Sequence, residues 1–271
     1  MKKILFVCDG ENYSYGSFEF IKLIHLHEPV YVKGLFFPTM KKASLSYDSY
    51  APGVYDELLE SRQEAERKGI EQFINQCKTH NIQCLEVKKD AASWNKDFWE
   101  KETRYADLMV ISQELLGANL NSLQPNTHML ELLRWADCPV LTVPETALPP
   151  EHIIGATDGS AESMHALTQF CKMFPQYSAL PAKFVYVKNE HNKKIPDRRL
   201  LKEYVSLHFK EAEILKLHWD HQKLFTTWLG CYKNALVVTG AFGRSALSNL
   251  LQKSFAAQVI REQAARVFIA H

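Results

Sequence analysis

The chain has 271 residues, 46% hydrophobic, 23% charged and 11% aromatic, a balance that excludes a disordered polymer. With 32 Lys and Arg against 31 Asp and Glu, its net charge is +1, so no global attraction to nucleic acid or an anionic membrane is expected. The length exceeds what one hydrophobic core usually needs, and two domains are expected.

Lys2-Lys3 is followed only by Ile4–Cys8 before Asp9, too short an apolar run for a signal-peptide core. No stretch approaches the ~20 apolar residues of a membrane span. A soluble, cytoplasmic protein is expected. Cys8, Cys77, Cys84, Cys138, Cys171 and Cys231 contain no C-x-x-C pair, and read as small buried hydrophobes in a reducing compartment.

In chain order, strand-like runs at Lys3–Cys8, Val30–Phe37, Gln83–Val87, Leu108–Ser112 and Pro139–Val143 alternate with helical patterns at Tyr13–His27, Val54–His80, Trp94–Tyr105 and Asn126–Trp135. The proline-rich Pro144–Pro150 reads as a linker. Strands then follow at Ile153–Thr157, Lys183–Val187, Glu213–Leu217, Ala235–Thr239 and Arg266–Ala270, with helices at Ser163–Phe174, Asp197–His208, His221–Cys231 and Phe255–Gln263. The alternation predicts an α/β chain of two tandem doubly wound domains, 1–146 and 147–271, each a five-stranded, mainly parallel sheet with helices on both faces.

The second half repeats the first. Ala106–Ser112 matches Asn234–Gly240 at an offset of 128 residues, and Cys138–Val143 matches Ala265–Ala270 at 127. Asp9-Gly10 matches Asp158-Gly159 at 149, so the first copy carries about 21 extra residues, absorbed by Pro38–Gly53 and the helix after it. Two copies at so long a period are domains rather than a solenoid.

Ligands of an open parallel sheet bind beyond the carboxyl ends of its strands, where strand order reverses. Two features land there: Asp158-Gly159-Ser160 after one strand, and Gly240-Ala241-Phe242-Gly243 after another, with Ser254 opening the next helix. Glycine lets backbone N–H groups approach a phosphate, and a helix start adds unpaired amides and a hydroxyl cap. Asp158 is placed to accept from an amine or sugar hydroxyl, and the set points to a nucleotide.

Val237–Ser254 resembles the nucleotide loop of the universal stress protein family, which runs Gly, two residues, Gly, nine residues, Gly, then Ser or Thr. Thr157-Asp158-Gly159-Ser160 is similar to that family's first-strand Asp-Gly-Ser, and Ala265–Ala270 to its final strand. The resemblance covers the second half and, through the repeat, extends to the first, in the tandem form of the family. It implies a non-enzymatic, cytoplasmic stress-response protein binding ATP or AMP in its second domain, with Mg2+ only alongside ATP and no structural metal. Asp158 and the Val187 region would contact adenine; Thr239, Gly240, Gly243 and Ser254 would approach the ribose and phosphates. Lys253 stands where the family has its third glycine, and would either collide with a polyphosphate or pair with it. Partners implied are the nucleotide and an unidentified protein, with no nucleic acid or membrane. Internal domain pairing through the last strands would mimic a dimer, leaving a further homodimer open. The alternatives are a scaffold of the same fold without nucleotide, or a slow ATP hydrolase.

The first copy keeps Asp9-Gly10, but Gln113–Asn119 lacks the paired glycines and Glu114 would repel a phosphate, so no phosphate site is expected there. Other features have plainer readings. His218 and His221 lack a supporting ligand set for a metal. His25 and His27 would favour the negative end of a helix. Trp94, Phe98 and Trp99 fit a buried helical stripe, and Lys193-Lys194 with Arg198-Arg199 a solvated loop. Ser160 and Ser254 read as caps, because neither lies in a nucleophile elbow.

Overall fold

The computed structural model describes residues 1–9, 13–37, 54–88, 95–114, 127–146, 148–186, 194–217, 222–240, 259–260 and 264–270. The first half supplies β1 (Lys2–Asp9), α1 (Tyr15–His25), β2 (Val30–Phe37), α2 (Val54–Thr79), β3 (Gln83–Lys88), α3 (Lys96–Arg104), β4 (Leu108–Ser112), α4 (Thr127–Trp135) and β5 (Val140–Val143). The second supplies β6 (His152–Thr157), α5 (Ala161–Met173), a 3-10 turn (Pro175–Ala179), β7 (Ala182–Tyr186), α6 (Arg198–His208), β8 (Ala212–Lys216), α7 (Gln222–Leu229), β9 (Ala235–Gly240) and β10 (Arg266–Ala270). No helix of the described residues is long and apolar enough to cross a membrane.

All ten strands form one sheet in the order β3-β2-β1-β4-β5-β10-β9-β6-β7-β8. Each half therefore reads outward from its first strand in the same way, with the second and third strands on one side and the fourth and fifth on the other. Every neighbouring pair is parallel except β5 and β10, which join the halves antiparallel, Phe268 opposite Leu141 and Ile269 opposite Val140. The last strands meet, as the resemblance to the tandem form implies.

Strand alternation sends Ile4, Phe6 and Cys8 to one face and Leu5 and Val7 to the other, all buried. The first face packs under α1, α2, α5 and α6, the second under α3, α4 and α7, and each core crosses the seam between halves. Burying both faces explains why the strands read as nearly continuous apolar runs. Phe6 stacks on Phe73 of α2 at 5.6 Å and meets Phe18 of α1 edge-on. Across the seam, Phe20 of α1 meets Phe174 at 6.2 Å, and within the second half Phe170 of α5 meets Phe268 of β10 at 5.5 Å.

Polar groups also bind the seam. Lys2 reaches Glu28 and donates to the Met173 carbonyl at 2.9 Å. Buried Gln113 donates to the Ala265 carbonyl at 2.7 Å and to the Thr142 hydroxyl at 3.0 Å. Arg266 is 2% exposed, has an Nε without a partner, and lies over the Phe20 ring.

Several boundaries move for local reasons. The helix expected over Tyr13–His27 starts at Tyr15, because the Ser14 hydroxyl accepts from the Ser17 amide and caps it. The one expected over Ser163–Phe174 starts at Ala161 for the same reason, with Ser160 as its cap. His25 lies in the last turn of α1, and its Nδ1 accepts from the Val30 amide at 3.3 Å. Arg198-Arg199 lie in α6 rather than in a loop, after Asp197 at φ 45°. The six cysteines are free thiols; Cys8, Cys77 and Cys138 are buried as expected, but Cys231 is exposed. Trp99 is fully buried, in keeping with the helical stripe, while Trp94, Lys193, His218 and His221 lie outside the described residues.

Candidate functional site

The strand order reverses between β6 and β9: the chain leaves β6 toward β7 on one side, while β9 lies on the other. Their carboxyl ends therefore open a crevice of the kind that holds ligands in doubly wound sheets. Ala156 pairs with Thr239, which brings Thr157-Asp158-Gly159 and Gly240 to the same rim. Of the residues assigned to the nucleotide from sequence, Asp158, Thr239 and Gly240 are thus brought together. Val187, Gly243, Lys253 and Ser254 lie outside the described residues.

A chain of short hydrogen bonds shapes the β6 side. The Asp158 carboxylate accepts from the Ser160 amide at 3.0 Å, and the Thr157 hydroxyl from the Gly159 amide at 3.1 Å. The Ser160 hydroxyl accepts from the Ser163 amide at 3.2 Å, and the Thr157 and Ser163 hydroxyls meet at 3.0 Å. These bonds bend the backbone sharply from β6 into α5. Gly159 sits at φ +78°, a conformation glycine adopts without steric cost, and Pro196 closes over it, 2.8 Å from where a Cβ would stand.

On the β9 side, Thr239 is buried and Gly240 lies against the first turn of α5. A Cβ on Gly240 would come within 2.6 Å of the Glu162 carbonyl carbon and 2.7 Å of the Ser163 nitrogen. The glycine thus lets the strand end touch the helix start. Together the rim offers a partly exposed Asp158 carboxylate and a turn with positive φ, backed by buried hydroxyls that pair within the protein.

The corresponding place in the first half is built differently. The Glu114 carboxylate, just past β4, accepts from the Ser112 hydroxyl at 2.8 Å and from the Glu145 amide at 3.0 Å. The Glu145 carboxylate in turn accepts from the Gly16 amide of α1 at 2.9 Å. Gly16 packs so closely that its Cβ would lie 2.5 Å from the Pro144 carbonyl oxygen. A protein carboxylate holds the helix start where an anion could bind.

Sequence reasoning singled out Asp158, Gly159 and Ser160, with Thr157 in the same motif, but missed Ser163, Pro196 and Glu145. Ser163 carries a readable signal, since Ser160 and Ser163 have the spacing of a helix cap and its target amide. Pro196 and Glu145 arrive from distant segments and carry none.

No protein-family model matches this sequence, and no curated protein matches it. Solved structures do. A universal stress protein from Archaeoglobus fulgidus superposes with a TM-score of 0.66 at 14% identity, over 99% of this chain and 97% of that one. A protein assigned to the universal stress proteins from Pseudomonas aeruginosa gives 0.58 at 14% identity, over 99% and 92%. A Pseudomonas aeruginosa protein of unknown function gives 0.56 at 13% identity, again over 99% and 92%. The chain has the α/β fold of the universal stress proteins along nearly its whole length.

Proposed function

We propose that this chain is a tandem universal stress protein, with domains 1–146 and 147–271, that binds an adenine nucleotide in its second domain. It acts by binding rather than by catalysis, in the cytoplasm, the nucleotide altering a surface presented to a protein partner. The observation that carries the reading is the convergence of Asp158, Gly159, Thr239 and Gly240 on the β6–β9 switch point.

Within this reading, Asp158 and the Val187 region hold the adenosine end. Gly240, Gly243, Lys253 and Ser254, in the order of the glycine loop, hold the phosphates, with the Lys253 ammonium paired to them. The first domain keeps the fold but not the site, because Glu145 and Glu114 occupy the corresponding crevice with two carboxylates.

Protein purified without added nucleotide and heat-denatured should release an adenine nucleotide, read by chromatography and absorbance. The Asp158→Ala protein should release much less and the Asp9→Ala protein an unchanged amount. Equal release from Asp158→Ala and the parent would contradict the site, and a nucleotide-free parent that gives no thermal shift with millimolar ATP or AMP would contradict the function.

A further inference from the structure

At the far edge of the second half, α6 overhangs β8, the last strand of the sheet. Between them lies a cavity of about 560 Å3. Buried Val205 of α6 and Phe209 just after it form its apolar floor with Ile214 of β8. Arg198, Arg199, Lys202 and Lys210 stand exposed along its rim. Arg198, Lys202 and Val205 recur at helical spacing, which lays charge and apolar surface along one side of α6. None of the four cations makes an ion pair with another described residue, whereas Glu213 of β8 is held by Lys183 at 2.7 Å. In a chain of net charge +1, this concentrates positive charge at one place.

The second observation is the strand itself. β8 pairs with β7 along one side, and no described strand pairs with the other. That side presents a row of backbone N–H and C=O groups, a template for another extended chain. Five residues of β8 span roughly 17 Å, comparable with the reach of α6 alongside it.

We infer that this edge is a docking site for an extended acidic peptide segment of a partner protein. The segment adds a strand to β8, its apolar side chains enter the cavity, and its carboxylates meet the rim cations. An acyl chain could fill the floor but offers no N–H and C=O groups to the strand edge. A second copy of this chain would bring four cations against four. The inference is independent of the nucleotide site.

Fluorescence anisotropy with a labelled synthetic peptide alternating Glu and Val tests it. The intact protein should bind this peptide, more weakly as salt rises, and should not bind a peptide alternating Lys and Val. An Arg198→Glu/Lys202→Glu double variant should weaken binding roughly tenfold or more, and Lys210→Glu by a smaller factor. These residues are exposed, and circular dichroism should show both variants folded. A backbone N-methylated version of the acidic peptide keeps the charge but loses the donors that a strand needs, and should bind roughly tenfold more weakly. Equal binding of the N-methylated peptide, or of the peptide to the double variant, overturns the proposal. Tighter binding of a single-stranded oligonucleotide than of the acidic peptide also overturns it.

Discussion

A methyl group on Gly240 would stand 2.6 Å from the Glu162 carbonyl carbon, where only backbone faces it and no side chain can rotate away. Either β9 or the start of α5 must shift, so Gly240→Ala should cost about 1–3 kcal/mol of stability, read by denaturant unfolding. The same shift would displace Thr239 from the rim. Another residue-scale prediction concerns pH. Lys2 and the N-terminal amine hold the Glu28 carboxyl below the usual carboxylate range. A carboxyl with a lowered folded-state pKa adds stability above its unfolded pKa and loses it as pH falls through the folded value. The pair is partly exposed, so Lys2→Gln should cost about 0.5 kcal/mol at neutral pH through this ion pair. That ion-pair component should vanish in acid once Glu28 is protonated, which a series of thermal melts against pH would show. Asp158 and Gly240 were legible as site residues because each directly follows a predicted strand, inside a motif of fixed spacing. Glu145 was not: its contact with Gly16 depends on tertiary packing across 129 residues of chain.

At the scale of elements, the two best-matched helix starts share one device. Ser14 caps α1 and Ser160 caps α5, each accepting from the residue three positions on. Ser160→Ala should therefore cost about 1 kcal/mol in thermal unfolding, and it should also loosen the turn that carries Asp158. The seam strand β10 makes a sharper prediction. Phe268 is fully buried between Phe170 and Phe174, so Phe268→Ala should cost about 3–5 kcal/mol. The two halves should then still unfold together, because both cores cross the seam. Arg266 works the other way. Burial without an ion partner among the described residues opposes its charge, so Arg266→Met should be neutral or stabilising by about 1 kcal/mol or more. Strand positions were readable from sequence, as with Val30–Phe37 and Arg266–Ala270, because burial of both faces leaves largely apolar runs. Helix starts were less readable, since Ser14 and Ser160 set them through single hydrogen bonds rather than through periodicity.

The whole molecule is one ten-stranded sheet made of two like halves that meet through their last strands. The repeat offsets disclosed the halves, and their pairing was an implication of the family resemblance. They could not disclose that the second half's outer edge gathers the cations of α6 against an apolar floor, since Phe209 and Ile214 meet only after the helix folds back on β8. In the proposed reading the two halves are unequal: the β6–β9 rim holds a nucleotide, while beside β4 Glu114 and Glu145 are hydrogen-bonded to the chain itself. Isothermal titration of the intact chain with ATP and with AMP tests this most directly, because the stoichiometry counts the competent halves. One nucleotide per chain, abolished by Gly243→Val and retained by Asp9→Ala, is the result predicted; two per chain, none, or a single site lost with Asp9→Ala would contradict it.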